Sequence, residues 1–171
     1  MGRWKPLLAF RGGTLVGTVV DTALAACRRV ILVAGYRGDE LAALFASVPR
    51  IVVVQNPAWR LGMFSSIQAG AARVETDRFF IMLADMPHVD PAVYAALRHQ
   101  GEADFVFPTH DGMRGHPVLA GARVRDAILA ADAATGSMKE IARRLSVLEM
   151  PWRDDSVLRD IDTPEDLAGA G

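Results

Sequence analysis

The sequence predicts an α/β fold in which helices cover a mostly parallel sheet. Short apolar runs alternate with segments of helical periodicity along the 171 residues, and this alternation is typical of a three-layer architecture. The runs are continuously apolar, as buried parallel strands are. One of them, residues 79–84, is followed directly by Asp85. Because open α/β sheets bind ligands beyond the carboxyl ends of their strands, Asp85 is predicted to lie in a binding site.

Three strands are predicted in the first half of the chain, at residues 30–34, 51–54 and 79–84. The first ends at a glycine and the second before an Asn-Pro pair, and both signals mark turns. Asp39 and Glu40, which precede a helical apolar spacing, predict a helix between these two strands, since acidic residues favour a first helical turn. Ser65 and Ser66 are predicted to cap the next helix, because a serine hydroxyl can accept a hydrogen bond from a free N–H group there.

The second half continues the alternation. Asp90 followed by Pro91 predicts a helix start, since proline fits the first turn. The remaining predicted elements are strands near 103–107, 118–119 and 146–150, the last of them at an edge, and helices over 122–131 and 138–145. Residues 163–165 (Thr-Pro-Glu) are predicted to cap a short terminal helix.

The composition is that of a single globular domain over residues 1–171, with 51% hydrophobic and 23% charged residues. A formal net charge of -1 argues against nucleic-acid binding, which rests on a surplus of Lys and Arg, and favours a small anion as the partner. Cys27 is the single cysteine, so an internal disulfide is excluded and a packed thiol in a reducing cytoplasm is predicted. Neither a signal-like opening nor an apolar stretch of membrane-spanning length is visible, which predicts a cytoplasmic protein without a membrane partner.

A second acidic cluster, at residues 160–166, lies near the C-terminus. Two or three carboxylates that converge with Asp85 would form a site for a hard divalent cation. Magnesium held by one or two carboxylates completes its shell with water and substrate phosphate. The two acidic segments together therefore predict phosphate chemistry.

Two loops carry further polar residues. Residues 56–66 join the end of a strand to a helix N-terminus, where free N–H groups and the helix dipole favour an anion. The alternative is an ordinary capped turn. Residues 112–117 (Gly-Met-Arg-Gly-His-Pro) form either a glycine-rich turn or a loop that a ligand can approach closely.

Five motifs occur in the order seen in the molybdenum cofactor cytidylyltransferase family, and the sequence resembles that family over nearly its whole length. They are Asn56-Pro57 with Trp59, and residues 62–66 (Gly-Met-Phe-Ser-Ser), 83–87 (Leu-Ala-Asp-Met-Pro), 115–118 (Gly-His-Pro-Val) and 160–167 (Asp-Ile-Asp-Thr-Pro-Glu-Asp-Leu). The resemblance implies a Rossmann-like nucleotidyltransferase fold. It also implies transfer of a nucleoside monophosphate from a nucleoside triphosphate, with magnesium, to the terminal phosphate of molybdopterin.

The resemblance assigns roles to individual residues. Asp85 and Asp162 match the metal-binding positions, with Asp160 a less certain partner, and Lys5 matches a lysine that would stabilise the transferring phosphoryl oxygens. Lys5, Asp85 and Asp162 are therefore the predicted catalytic residues. The predicted nucleotide-binding residues are Lys5, Asn56, Gly62, Ser65, Ser66 and Asp85, and the predicted substrate-binding residues are Gly115 and His116.

One part of the family pattern has no counterpart here. The family opens with an apolar strand and a Leu-Ala-Ala-Gly-x-Ser-x-Arg loop just before the Met-Gly that precedes its lysine, whereas this sequence opens at that Met-Gly. The resemblance therefore predicts that the first strand and the triphosphate loop are missing, and that the domain is truncated at its N-terminus relative to the family.

Residues 62–66 resemble the cytidylyl branch, so CTP is favoured as the nucleotide. Three alternatives stay open: a molybdopterin guanylyltransferase, a sugar-phosphate nucleotidyltransferase, and a non-catalytic accessory protein that binds the molybdenum cofactor and delivers it to a molybdenum hydroxylase. Lys5, Asp85 and Asp162 favour catalysis, because delivery alone needs no metal site. The missing loop favours binding without turnover.

Overall fold

The computed structural model describes residues 4–162 and residue 166. The opening Met1-Gly2 and the predicted cap at residues 163–165 lie outside the described part. The described strands are β1 (Ala9–Phe10), β2 (Gly13–Thr14), β3 (Val30–Ala34), β4 (Ile51–Gln55), β5 (Arg78–Ile81), β6 (Phe105–His110), β7 (Met113–Arg114), β8 (Val118–Gly121) and β9 (Val147–Pro151). The described α-helices are α1 (Leu15–Ala26), α2 (Gly38–Phe45), α3 (Met63–Ala71), α4 (Pro91–Arg98), α5 (Ala122–Ala130) and α6 (Met138–Arg144).

Local sequence explains where two of the helices begin. The Thr14 side chain accepts a hydrogen bond from the N–H of Gly17 at 3.1 Å and so caps α1. Asp90 caps α4 in the same way, accepting from the N–H of Ala92 at 2.8 Å, with Pro91 in the first turn. The predicted start at Asp90 and Pro91 is therefore confirmed. Within the described residues, no helix is long and apolar enough to cross a bilayer.

The predicted α/β class is confirmed, and its strand pairing is more mixed than a mostly parallel sheet. β3 and β4 are parallel and form a two-stranded sheet. The larger, five-stranded sheet has the order β5-β8-β6-β7, with β9 parallel to β6. β8 lies antiparallel between β5 and β6, because it follows the β6–β7 hairpin and returns beside it. The last strand, β9, pairs with β6 and lies at an edge, as predicted.

Helices pack on both faces of the sheets, which gives three layers. Phe80 of β5 packs with Tyr94 of α4, with ring centroids 4.9 Å apart. Its neighbours Phe79 and Ile81 belong instead to the core that contains Val124 and Ile128 of α5. This alternation follows from the geometry of a strand, in which successive side chains point to opposite faces.

β5 is shorter than predicted, since it ends at Ile81 rather than at residue 84. Its ladder with β8 stops at the pair Ile81 and Val118. The residue before Val118 is Pro117, which has no N–H group to continue the ladder. Met82 and Leu83 still pack against the core, so their apolar character reflects burial rather than pairing. Asp85 accordingly lies in a turn beyond the strand.

A cavity of about 1060 Å³ separates the two sheets. It lies between β3 and β5, and helices α1 and α3 contribute to its walls. Among the described strands, β3 pairs with β4 alone and β5 with β8 alone. Within the described residues, strand pairing therefore does not join the two sheets, and the predicted lack of a first strand stays a prediction.

Candidate active site

Lys5 joins the two carboxylates that the sequence analysis singled out. Its ammonium lies 3.2 Å from Asp85 Oδ2 and 2.7 Å from Asp162 Oδ1. The side chains of Lys5 and Asp85 are 26% and 33% exposed, whereas that of Asp162 is 68% exposed. The three predicted catalytic residues thus meet at one partly open position, although they are far apart in the sequence.

A backbone contact brings Asp162 to this position. The N–H of Ile161 donates to the carbonyl oxygen of Asp85 at 2.8 Å. Ile161 itself is fully buried and packs with Phe10 and Leu15, so the segment around it is fixed on both sides. Asp160 is exposed. Among residues 4–162 and 166, no group of three or more His, Cys, Asp or Glu side chains could hold a metal ion, so a site here would use two carboxylates.

The chain before α1 positions Lys5. Residues Lys5–Leu7 form a single 3-10 turn with Pro6 in it, and the Trp4 ring packs against the core of β3 and α2. The guanidinium of Arg37, which follows β3, lies 4.8 Å from the centroid of the Trp4 ring. Burial lowers the pKa of Lys5, but its hydrogen bonds to Asp162 and Asp85 outweigh burial and raise that pKa above its ordinary value. Lys5 is therefore a permanent positive charge at neutral pH.

One oxygen of Asp85 has no partner. Oδ2 contacts Lys5, whereas Oδ1 is buried and accepts no hydrogen bond within the described part of the chain. Buried acceptors are nearly always satisfied in native proteins, and an exception points to a missing ligand, water or ion. Asp85 therefore retains one coordination position for a cation.

The loop after β4 is held by a buried network around Asn56. The Asn56 amide nitrogen donates to Ser65 Oγ and to Ser66 Oγ, both at 3.0 Å, and Asn56 Oδ1 accepts from the N–H of Ala58 at 2.9 Å. Asn56 and Ser65 are each 4% exposed. The side chains of these two predicted nucleotide-binding residues therefore hold the loop, and their part in nucleotide binding stays a prediction.

The helix of this loop begins earlier than predicted. α3 starts at Met63 with Gly62 as its N-cap residue, so Ser65 and Ser66 lie within the first turn. Ser65 Oγ contacts the carbonyl oxygens of Gly62 and Ala58 at 2.8 and 3.1 Å. Gly62 is exposed and has φ of 107°, a conformation that favours glycine. Ser66 lines the cavity between the sheets, together with Ala84, the residue before Asp85.

The predicted substrate loop is pinned to the C-terminal segment. The N–H of His116 donates to the carbonyl oxygen of Val157 at 2.8 Å, and His116 Nδ1 lies 3.4 Å from the carbonyl oxygen of Ile81. Burial lowers the pKa of His116, against the opposing effects of the Ile81 contact and of the Asp85 charge. A neutral imidazole therefore lies near Asp85, and its role toward a substrate stays a prediction.

Gly115 fills a position where a side chain has no room. A Cβ at this residue would lie 2.2 Å from the carbonyl oxygen of Val157. We expect Gly115→Ala to lower the free energy of unfolding by roughly 2 kcal/mol or more, because backbone must shift to relieve the overlap. Urea denaturation measures the change. Gly101→Ala is the matched control, since a Cβ there meets nothing within 4 Å, and an equal loss in both variants would contradict the close approach.

The buried imidazole of His116 predicts a pH dependence of stability. Because its pKa is lowered in the folded protein, the unfolded chain binds a proton at higher pH, near the ordinary value of about 6.5. The free energy of unfolding should therefore fall as pH decreases through that value, and His116→Gln should reduce the fall. Denaturation at about pH 7.5 and about pH 5.5 measures it.

His88 is a second histidine that should contribute to this pH dependence, because burial lowers its pKa as well. His88→Gln should also reduce the fall in the free energy of unfolding at low pH. The reductions caused by His88→Gln and His116→Gln should add in the double variant. If the pH dependence of stability were the same in His116→Gln and in the wild type, the pKa of His116 would be the same in the folded and unfolded protein.

Sequence reasoning missed the residues that follow β3. Tyr36 is 60% exposed and its ring centroid lies 6.0 Å from that of Trp59. Arg37 lies over Trp4, the neighbour of Lys5. The rule that pointed to Asp85, that ligands bind beyond the carboxyl ends of strands, applies equally to β3 and marks both residues as candidates.

Comparison with solved structures places the fold among Rossmann-like nucleotidyltransferases. Rv0371c from Mycobacterium tuberculosis is 25% identical, with a TM-score of 0.82 over 99% of this chain and 90% of that one. Its manganese complex gives 24% identity and a TM-score of 0.78, over 97% and 90% of the two chains. A nucleotidyl transferase from Methanothermobacter (Mth528) shares the fold at 20% identity, with a TM-score of 0.80 over 96% of this chain and 82% of that one.

Sequence comparison narrows this class. The profile of the MobA-like NTP transferase domain family matches residues 1–148. The chain is also 31% identical to the molybdenum cofactor cytidylyltransferase of Escherichia coli, over 99% of this chain and 88% of that protein. The chain belongs to the MobA-like NTP transferase family and is a nucleotidyltransferase.

Proposed function

We propose that this protein transfers CMP from CTP to the terminal phosphate of molybdopterin and releases pyrophosphate. The observation that carries the proposal is the meeting of Lys5, Asp85 and Asp162 beyond the end of β5. A cation and two carboxylates in one partly open site suit a reaction in which charge moves between phosphate groups. The likeness to the Escherichia coli cytidylyltransferase supports CTP and molybdopterin as the substrates.

Asp85 and Asp162 are the residues that would hold a magnesium ion. The fit rests on the oxygen donors of both carboxylates and on the buried, unpartnered Oδ1 of Asp85. A bound divalent ion supplies neutralisation of charge on the transferring phosphate. Rv0371c, which shares this fold, has been crystallised with manganese.

The reaction joins an oxygen of the molybdopterin phosphate to the α-phosphorus of CTP and breaks the bond between that phosphorus and the β-phosphate. The attacking phosphate oxygen is already ionised, so a general base has little to add. Lys5 contributes by donating from Nζ to non-bridging phosphate oxygens, where charge builds up. Its ammonium donates to both carboxylates, so donation to phosphate oxygens requires it to exchange these partners.

The loop at residues 56–66 is the proposed nucleotide-binding element. Hydrogen bonds of the buried Asn56 and Ser65 side chains stabilise the loop. In this proposal Gly62 and Ser66 face the nucleotide, together with the free N–H groups at the start of α3. His116 and Gly115 shape the acceptor side through their contacts with Val157. In this proposal His116 positions the substrate and takes no proton.

The base preference gives a direct test of the proposal. With equal concentrations of CTP and GTP, magnesium and molybdopterin, we expect the dinucleotide product to contain mainly CMP, since residues 62–66 resemble the cytidylyl branch. Mass spectrometry of the product measures the ratio. Predominant incorporation of GMP would favour a guanylyltransferase. Binding of molybdopterin without pyrophosphate release would favour the accessory role.

A further inference from the structure

Lys5 needs an anchor other than its two ion pairs. Its ammonium donates to Asp85 and Asp162, and in the proposed reaction it gives up these bonds to donate to phosphate oxygens. A lysine side chain is long and flexible, so the ammonium is then located only by the backbone that carries it. Whatever holds the chain at residues 4–5 therefore sets how well Lys5 reaches the phosphates.

The backbone hydrogen bonds at this point are local. The carbonyl oxygen of Trp4 accepts from the N–H of Leu7 at 3.2 Å, and that of Lys5 accepts from the N–H of Leu8 at 3.1 Å. Both bonds belong to the single 3-10 turn and its cap, and the hydrogen-bond geometry of a 3-10 turn is poorer than that of an α-helix. The turn by itself gives Lys5 little rigidity, so side-chain packing has to supply the rest.

The Trp4 ring joins this turn to the folded core. It packs against the core of β3 and α2 but is only partly buried. The guanidinium of Arg37 lies 4.8 Å from the centroid of the ring, a distance at which a cation is attracted to the π-system. Arg37 therefore adds a second contact to a ring that burial alone does not fix.

Glu40 in turn orients the guanidinium. Its two carboxylate oxygens accept from Nε and from Nη2 of Arg37, the second at 2.6 Å. A fork of two parallel bonds sets the plane of a guanidinium, which a single contact does not. The side chains of Arg37 and Glu40 are 40% and 45% exposed, so solvent screens the pair and its effect on stability is small. What the pair contributes is the orientation of Arg37 over Trp4.

The backbone of Arg37 has an unfavourable conformation. Its φ of 55° and ψ of 34° lie in the left-handed region, which a residue with a Cβ rarely adopts. Glycine would adopt it without strain. Strained residues persist where the surrounding structure holds them, and they cluster at functional sites. An arginine at this position therefore points to a role for its side chain.

The turn that carries Arg37 is closely packed against β4 and the loop after it. A Cβ at Gly35 would lie 2.5 Å from the Cβ of Trp59, and a Cβ at Gly38 would lie 2.0 Å from Oε1 of Gln55. The two glycines let these segments approach each other. Arg37 thus contacts Trp4 from a turn that is itself supported by its neighbours.

We propose that Arg37 is a positioning residue for nucleotidyl transfer. Its guanidinium, oriented by Glu40, holds the Trp4 ring and thereby keeps the backbone of Lys5 where the ammonium reaches the reacting phosphates. Arg37 acts through Trp4 and Lys5 and does not itself contact the substrate. The consequence for turnover rests on the proposed function, whereas the effect on the chain at Lys5 is measured without substrates.

Arg37→Gly is the variant that tests this role. It removes the guanidinium and also relieves the left-handed backbone, so Tm should stay within about 3 °C of the wild-type value. Arg11→Gly is the matched control, because Arg11 has φ of 45° and its guanidinium lies 5.2 Å from the centroid of the Phe10 ring. Phe10 is buried, with 4% of its surface exposed, so its position does not depend on the arginine.

Amide hydrogen exchange measures the effect on the chain at Lys5. In Arg37→Gly, the N–H groups of Leu7 and Leu8, which close the turn on Trp4 and Lys5, should exchange roughly tenfold faster than in the wild type. In Arg11→Gly they should exchange at the wild-type rate within about twofold. Unchanged exchange in Arg37→Gly would overturn the proposal. So would an equal acceleration in both variants, or one that extends to the same degree through β3 and β6, since either would reflect general loss of stability.

Turnover measures the consequence for the reaction. At saturating CTP and molybdopterin, Arg37→Gly should lower kcat by about tenfold, the scale of a small misplacement of a reacting group. Arg37→Lys keeps a cation beside Trp4 and should recover part of the loss. Combined with Lys5→Met, Arg37→Gly should cause no further loss, because both changes remove the same contribution.

Two kinetic outcomes separate this proposal from its alternatives. A further loss of kcat when Arg37→Gly is added to Lys5→Met would show that Arg37 acts on the substrate directly, and the positioning role would be wrong. Wild-type protein that transfers no nucleotide would contradict the proposed function, and the exchange of Leu7 and Leu8 would still decide whether Arg37 holds the chain at Lys5.

Discussion

Replacing Asp85 with Asn is expected to lower the rate of pyrophosphate release by about a hundredfold or more, the scale of losing one electrostatic contact to a transition state. Asn keeps the size of the side chain but removes the charge that a cation and Lys5 both contact. The free energy of unfolding should change little, because Asp85 is a third exposed and its pair with Lys5 is partly screened by solvent.

Asp160 supplies the matched control for this prediction. It lies in the same acidic segment as Asp162, but the ion pairs of Lys5 in the described part of the chain are with Asp85 and Asp162. Asp160→Asn should retain the wild-type rate within about twofold, as expected for an exposed charge that does not contact Lys5. A folded Asp85→Asn protein with the wild-type rate would show that the reaction does not use this carboxylate.

Lys5→Met should have the second large effect. Met preserves an unbranched apolar chain but cannot donate to a phosphate oxygen, so kcat should fall by roughly a hundredfold. Lys5→Arg should recover only part of the loss, since a planar guanidinium does not reproduce the geometry of a compact ammonium. Turnover at saturating CTP and molybdopterin separates this effect from weaker binding.

The other lysine, Lys139, is exposed in the first turn of α6 and provides the control. Lys139→Met should leave kcat unchanged. If Lys5→Met raised KM and left kcat intact, Lys5 would contribute to substrate binding equally in the ground state and the transition state, and its catalytic assignment would be wrong.

The sequence predicts the parts of the fold in which local signals agree. β3 and β4 end where Gly35 and Asn56 mark turns, and α4 begins where Asp90 and Pro91 predict it. The boundaries shift where tertiary contacts decide. β5 stops early because Pro117 ends the ladder of its partner strand, a cause that lies far away in the sequence.

Helix α1 shows a helix that periodicity supports. Its large apolar residues recur at the spacing of one helix face, and Thr18, Asp21 and Thr22 lie on the opposite face, as in a helix with one buried side. Four of its residues, Leu15, Val16, Val19 and Val20, are buried. That face is buried because β3 and α4 pack near it in the folded chain.

Local sequence patterns and the family resemblance each predicted part of the site. Strand-end geometry pointed to Asp85, and the acidic cluster at residues 160–166 pointed to a second carboxylate. The choice of Asp162 within that cluster and the role of Lys5 required the family resemblance, because Lys5 resembles an ordinary surface residue in its local sequence. Their convergence on Asp85 in the structure supports that resemblance. The inward roles of Asn56 and Ser65 could not be predicted, because a buried amide and hydroxyl have the same sequence pattern as exposed ones.

The most direct test of nucleotidyl transfer at this site follows the α-phosphate of labelled CTP. The wild-type protein and its Asp85→Asn and Lys5→Met variants should be assayed with molybdopterin and magnesium. We predict that label enters the dinucleotide product with the wild-type protein, and that chelation of the metal or either substitution reduces the transfer by roughly a hundredfold. Folded wild-type protein that transfers no nucleotide from CTP or GTP, or transfer that is equal in the substituted proteins, would contradict it.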